Sequence, residues 1–195
     1  MPPKRKRKDG GAVGDSTSVP ALTPNFKRRK EVYNVNVILG MTGSVASIKA
    51  MELITKLAFL AAPRLPSLKV VATKAAKHFF NWEELKKDLS AANVGFHSDE
   101  EEWRDWKKVG DPVLHIELRR WADILVIAPC SANTLAKLAN GLCDDLLSCI
   151  VRAWDFKDPN KRLIIAPAMN TMMWGVSVHP ETSRDARGAG WRHHG

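Results

Sequence analysis

The chain has 195 residues, 45% of them hydrophobic, and a net charge of +9, enough for one domain with a sizeable core. The charge is concentrated: residues 1–30 hold nine Lys or Arg and two Asp, or +7 of the total, so the nearly neutral body is not expected to bind nucleic acid. The sequence has no run of ~20 apolar residues that could span a membrane, and no apolar stretch behind the basic residues that would make a secretory signal.

Residues 1–32 carry KRKRK (4–8) and KRRK (27–30) among Pro, Gly, Ser and Thr, with few large apolar groups. That composition cannot bury enough surface to fold and predicts a disordered basic tail. Read as a solvated leader, it suits a cytoplasmic protein; the sharper reading of KRKRK is nuclear import.

Four short apolar runs read as strands: VNVIL (35–39), LKVVA (68–72), ILVIA (124–128) and LIIA (163–166). They are continuous rather than alternating, as in parallel strands covered on both faces. Helical patterns lie between them. Residues 44–60 place Val45, Ile48, Met51, Ile54 and Ala58 on one stripe. Asp111-Pro112 reads as a cap and first-turn proline, followed by Leu114, Leu118 and Trp121 on one face. Residues 133–154 place Leu135, Leu138, Leu142, Leu146, Cys149 and Ala153 at helical spacing. Residues 97–109 read as a charged connection, and 61–66 and 157–160 as loop insertions. Alternating β and α predicts a three-layer α/β/α, flavodoxin-like doubly wound parallel sheet. Cys130, Cys143 and Cys149 form neither a CxxC nor a Cys/His metal spacing, so they read as reduced thiols, and no metal site is expected.

Ligands of such sheets bind beyond the carboxyl ends of the strands. The first strand runs into GMTGSVAS (40–47), where glycines allow close backbone approach and Ser44 can cap a helix, an anion cradle. It is neither a Walker A loop nor GxGxxG. The second ends in TKAAKHFF (73–80), where Thr73 and Lys74 offer polar groups. The third ends in APCSANTLAKLANG (128–141), where Pro129 is expected to stop the ladder. Ser131, Asn133 and Thr134 exceed what one cap needs. The fourth ends in PAMNTMMW (167–174), whose Pro167 and Asn170 have no use in a core. These four ends predict a pocket for a planar phosphorylated cofactor, and the compact layout suits FMN.

GSVAS (43–47), DPVLHIELRRWAD (111–123), APCSANTLAKLANGLCDDLL (128–147), RAWDF (152–156) and PAMNTMMW (167–174) together resemble the flavin-containing cysteine decarboxylases, most strongly the plant phosphopantothenoylcysteine decarboxylases of coenzyme A biosynthesis. The likeness covers residues 33–174, the expected FMN domain. It implies a homotrimer holding FMN. Gly43, Ser44 and Val45 would lie on the phosphate side and Thr73, Lys74 and Ala75 in the second loop. Ser131, Ala132, Asn133, Thr134 and Ala168 would meet flavin. His115 would be the catalytic histidine, and Asn170 would hold the substrate, phosphopantothenoylcysteine. In that family flavin takes a hydride from the cysteine CH₂–SH; the resulting C=S acts as the electron sink for loss of CO₂.

Beyond Trp174 the family pattern continues with an Asn-Pro-Phe-Thr stretch and a flap whose cysteine protonates the product. Here 175–195 read GVSVHPETSRDARGAGWRHHG, an atypical tail. The expectation is an enzyme whose last step is in question, the alternative being a flavin-binding regulator with a protein phosphatase as partner. Asp145 also stands where the family commonly has Asn.

Overall fold

The computed structural model describes residues 35–60, 67–92, 94–104 and 106–175. Five strands form one parallel sheet: β1 (Asn36–Met41), β2 (Ser67–Ala72), β3 (Val94–Ser98), β4 (Ile124–Cys130) and β5 (Arg162–Pro167), in the order β3-β2-β1-β4-β5. The chain winds outward from β1 to β3, then crosses back to β4, so the order reverses between β1 and β4. That reversal opens a crevice at the carboxyl ends. The helices are α1 (Ala50–Leu60), α2 (Trp82–Asp88), α3 (Leu114–Trp121), α4 (Ala132–Ala139), α5 (Leu146–Arg152) and the short α6 (Thr171–Gly175).

The alternation of side chains along each strand feeds two cores. Val37, Leu39, Met41, Leu68, Val70 and Ala72 pack with Ala50, Ile54 and Ala58 of α1 and Trp82 and Leu85 of α2. Ile38, Val71, Leu125 and Ile127 pack on the other face with Leu118 of α3 and Leu146, Leu147 and Ile150 of α5. The three-layer doubly wound sheet expected from the sequence is therefore the fold. Ile38, Leu39, Ile54 and Leu125 are fully buried; truncating any one to Ala would cost about 2–5 kcal/mol.

Five expectations need correction. The charged connection expected over 97–109 starts inside a strand that was not expected from the sequence: His97 and Ser98 belong to β3. It is a half-buried edge strand, and Gly95, His97 and Ser98 break the apolar run that marks the others. The stripe over 44–60 holds only in its second half. Val45–Lys49 is a 3₁₀ turn, which shifts the helical phase. Ser47, Ala50, Ile54 and Ala58 point inward, whereas Val45 and Ile48 are 67% and 60% exposed.

Asp111 does not cap α3; its carboxylate accepts the amides of Lys107 and Lys108, closing the turn before it, and Val113 is the cap without a side-chain bond. The helix read over 133–154 is two helices. Gly141 at φ +72° takes the left-handed conformation that ends α4, and Asp145 starts α5 in a capping box with Ser148. Leu142 and Cys143 are consequently exposed between them. Pro129 does not end β4: the Ala128–Pro129 peptide is cis, the register shifts there, and Cys130 still pairs with Pro167. The insertion expected at 61–66, the basic tail and the segment from 176 onward lie outside the described residues.

Candidate functional site at the strand ends

The carboxyl ends of four strands are tied into one rim. The Thr73 amide donates to the Met41 carbonyl at 3.1 Å, joining β2 to β1. The fully buried Thr42 hydroxyl donates to the Pro129 carbonyl at 2.7 Å and accepts the Ser131 amide at 2.7 Å, joining β1 to β4. The Ala168 amide donates to the Cys130 carbonyl at 2.9 Å, joining β5 to β4. The Ser44 hydroxyl then donates to the Ala168 carbonyl at 3.0 Å, closing the rim between the first and last loops. Thr42 was not singled out in the sequence, although a threonine between Met41 and Gly43 at a strand end is the signal that could have found it.

Within this rim, Ser44 caps the 3₁₀ turn by accepting the Ala46 amide. A Cβ at Gly43 would stand 2.6 Å from the Ala75 Cβ, so the bare glycine lets the first two loops touch. The amides of Gly43 and Val45 meet no acceptor among the described residues, as expected for the start of a helical turn. Thr73 Oγ1 accepts the Ala76 amide, while the Lys74 backbone amide bonds the Asp99 carboxylate.

In the third loop, two of the three polar side chains serve each other. Ser131 Oγ caps α4 by accepting the Thr134 amide at 3.2 Å and donates to Thr134 Oγ1 at 3.1 Å. Only Asn133 stays exposed, with no hydrogen-bond partner for its amide among the described residues. The surplus of polar groups over a single cap is thus partly internal, since one cap engages two hydroxyls. Asn170 has a local use as well, because its side-chain oxygen accepts the Met172 amide at 2.8 Å and starts α6.

Large apolar groups stay exposed around the rim: Val45, Ile48, Met172, Met173 and Trp174. On β5, Arg162, Ile164 and Ala166 are exposed while Leu163 and Ile165 turn to the α3–α5 core.

His115, in the first turn of α3, does not stand as a lone surface residue. Its Nδ1 lies 2.7 Å from Oε1 of Glu102, whose side chain is 7% exposed. Ligand atoms of Glu102, His115 and Cys149 all lie within 4.8 Å of one another. The Cys149 thiol sits on the Cys143 carbonyl at 3.4 Å, and burial together with the nearby Glu102 carboxylate pushes it up to about 12. Burial alone pushes the Cys130 thiol up to about 12. Both remain S–H at neutral pH. Glu102 escaped sequence reading because it is one of four consecutive acids, 99–102, and no periodicity marks which of them turns inward.

A flavoprotein-family model matches residues 25–188, and the chain belongs to that family. Its relatives there include phosphopantothenoylcysteine decarboxylases. The one from Oryza sativa is 52% identical over 76% of this chain and 60% of its own length. The one from Mus musculus is 46% identical over 85% of this chain and 71% of its own. The chain thus spans less than two thirds of the rice protein's length. Among solved structures, the FMN binding protein AtHal3 superposes with a TM-score of 0.69 at 45% identity, covering 82% of this chain and 79% of that one.

Proposed function

We propose that the chain binds FMN at the rim of strand ends and catalyses decarboxylation of 4′-phospho-N-pantothenoylcysteine to 4′-phosphopantetheine. The observation that carries this reading is the rim itself. The loops of β1, β2, β4 and β5 are hydrogen-bonded to one another, and those of β1, β4 and β5 carry three of the decarboxylase motifs.

The residues fit FMN. The unpartnered amides of Gly43 and Val45, at the positive end of a 3₁₀ turn beside Ser44, suit a phosphate. Thr73, Lys74 and Ala75 border it from the touching second loop. Ala132 and the exposed Asn133 amide offer polar contacts to a flavin edge, with Ser131 and Thr134 fixing the turn that presents them; Ala168 closes the far side. Bound there, FMN supplies a hydride acceptor for the cysteine side chain of the substrate.

His115 handles the thiol proton: a histidine ring nitrogen can take it as the hydride leaves. Asn170 keeps its NH₂ for the substrate carboxylate, since its oxygen already caps α6. The exposed Val45, Ile48, Met172 and Trp174 support a homotrimer in which a neighbouring copy covers these apolar groups.

The test is incubation of the purified chain, loaded with FMN, with 4′-phospho-N-pantothenoylcysteine, followed by product mass. Loss of CO₂ supports the proposal. A protein that binds FMN and leaves the substrate intact sinks the decarboxylase reading.

A further inference from the structure

We infer that Glu102 is the positioning residue of His115: its carboxylate accepts the Nδ1 proton, fixes the ring and leaves Nε2 as the basic nitrogen. The inference rests on the reading of His115 as the residue that takes a proton from the substrate.

The geometry allows one sensible proton arrangement. At 2.7 Å the contact is a full hydrogen bond, and an ionised carboxylate can only accept. Nδ1 must therefore carry the proton, and neutral imidazole then has its lone pair on Nε2. The hydrogen bond to Glu102 uses Nδ1 alone, and no described residue bonds Nε2. A carboxylate as buried as that of Glu102 is costly unless it is paired, and its hydrogen-bond partner here is His115. The nearby Cys149 thiol does not compete, because it sits on the Cys143 carbonyl.

The carboxylate is itself held in place. Glu102 closes a turn that begins at the carboxyl end of β3, with its amide bonded to the Asp99 carbonyl at 3.3 Å. The Asp99 side chain accepts the Leu146 amide at 2.9 Å and a backbone bond from Lys74. One turn thus spans from the second strand end to the start of α5, and Glu102 rides on it toward α3. Support of this kind, a carboxylate behind a working histidine, fixes both tautomer and orientation; replacing the carboxylate by its amide can cost up to about 10⁴-fold in kcat. The Glu102, His115 and Cys149 group also has the residue types of a metal site. Yet two of its three ligand atoms already share a hydrogen bond and the third is a protonated thiol, so the arrangement is that of a proton-handling pair.

The test uses the FMN-loaded protein labelled with ¹⁵N-histidine, the His115 signals being assigned by their loss in His115→Asn. In the parent, with the imidazole in its neutral form, Nδ1 should read as N–H and Nε2 as bare. Glu102→Gln, whose amide can turn either its oxygen or its NH₂ to the ring, should give mixed tautomers. Its kcat should fall by at least about tenfold, and by up to about 10⁴-fold, with KM unchanged and FMN still bound. Glu102→Asp should keep the Nδ1–H tautomer and part of the rate. An Nε2–H tautomer in the parent overturns the inference even if no variant folds. So does a Glu102→Gln protein with parental tautomer and kcat, and so does stoichiometric zinc displacing the Nδ1 proton in the parent. If the parent binds FMN but turns over no substrate, the proposed function fails, while the tautomer measurement still decides the role of Glu102.

Discussion

Thr42 and Ser131, 89 residues apart in sequence, meet at 2.7 Å, the hydroxyl of one accepting the amide of the other. The same hydroxyl donates to Pro129, so one buried side chain holds the first and fourth strand ends together. Thr42→Val would leave a carbonyl and an amide buried without partners, at about 1–3 kcal/mol for each. Thermal melting should show a drop of about 2–4 °C per kcal/mol lost, with weaker FMN binding. Thr42→Ser should match the parent. A valine variant with parental melting and FMN affinity would refute the role of this bond.

Gly40 lies where a Cβ would come within 2.6 Å of Leu147 Cδ1. Gly40→Ala should overpack the α5 face and cost about 1–3 kcal/mol in denaturant unfolding. Leu147→Ala opens space at the same point, so the double variant should lose less than the sum of the singles. Strict additivity would show that the two positions do not touch.

Gly43 faces the Ala75 Cβ at 2.6 Å. Gly43→Val should push the first two loops apart and raise the FMN dissociation constant by roughly tenfold or more, about 1.4 kcal/mol per decade. Fluorescence titration of the apoprotein with FMN reads this directly, and unchanged affinity counts against a phosphate cradle at 43–45.

His115→Asn should keep its yellow colour, because His115 lies on α3 and in none of the loops assigned to FMN. Substrate-dependent loss of the flavin absorbance should slow by about 10²–10⁴-fold. Parental bleaching kinetics would remove His115 from the chemistry.

The thiols should differ in reactivity. Exposed Cys143 should react with a thiol reagent in the native protein at mild pH, whereas Cys130 and Cys149, pushed up to about 12, should react only on unfolding. The folded state holds these two protons more tightly than the unfolded chain does. Their contribution is therefore intact below the ordinary thiol range and declines as pH rises from about 9 towards 12. Denaturant midpoints across that range should fall with pH, and Cys130→Ala should flatten the slope.

Some of this architecture is local and was legible in the chain itself. The strands β1, β2 and β4 announce themselves because both of their faces are covered, which requires unbroken apolar runs; β5 carries such a run too, although its edge position leaves Ile164 and Ala166 exposed on one face. The strand-end loops are legible because glycine, proline and small polar residues have few other reasons to follow such runs. FMN and the decarboxylase motifs were carried by contiguous stretches such as SANT and PAMNTMMW.

Other features depend on distance in space. β3 is an edge strand needing only one good neighbour, so its sequence can afford Gly95 and His97. The phase of the first helix was set by a 3₁₀ turn whose geometry the residue pattern does not encode. The break at Gly141 shows only once Asp145 and Ser148 are seen to cap each other. The rim exists because Thr42 reaches the fourth strand, and His115 gains its carboxylate because a turn anchored by Asp99 to α5 carries Glu102 inward. Periodicity reports which face of an element is apolar, since that depends on neighbours three or four residues away. It cannot report which polar atoms meet across a sheet, since those pairings depend on strand order and on how the loops close, and only the folded chain decides them.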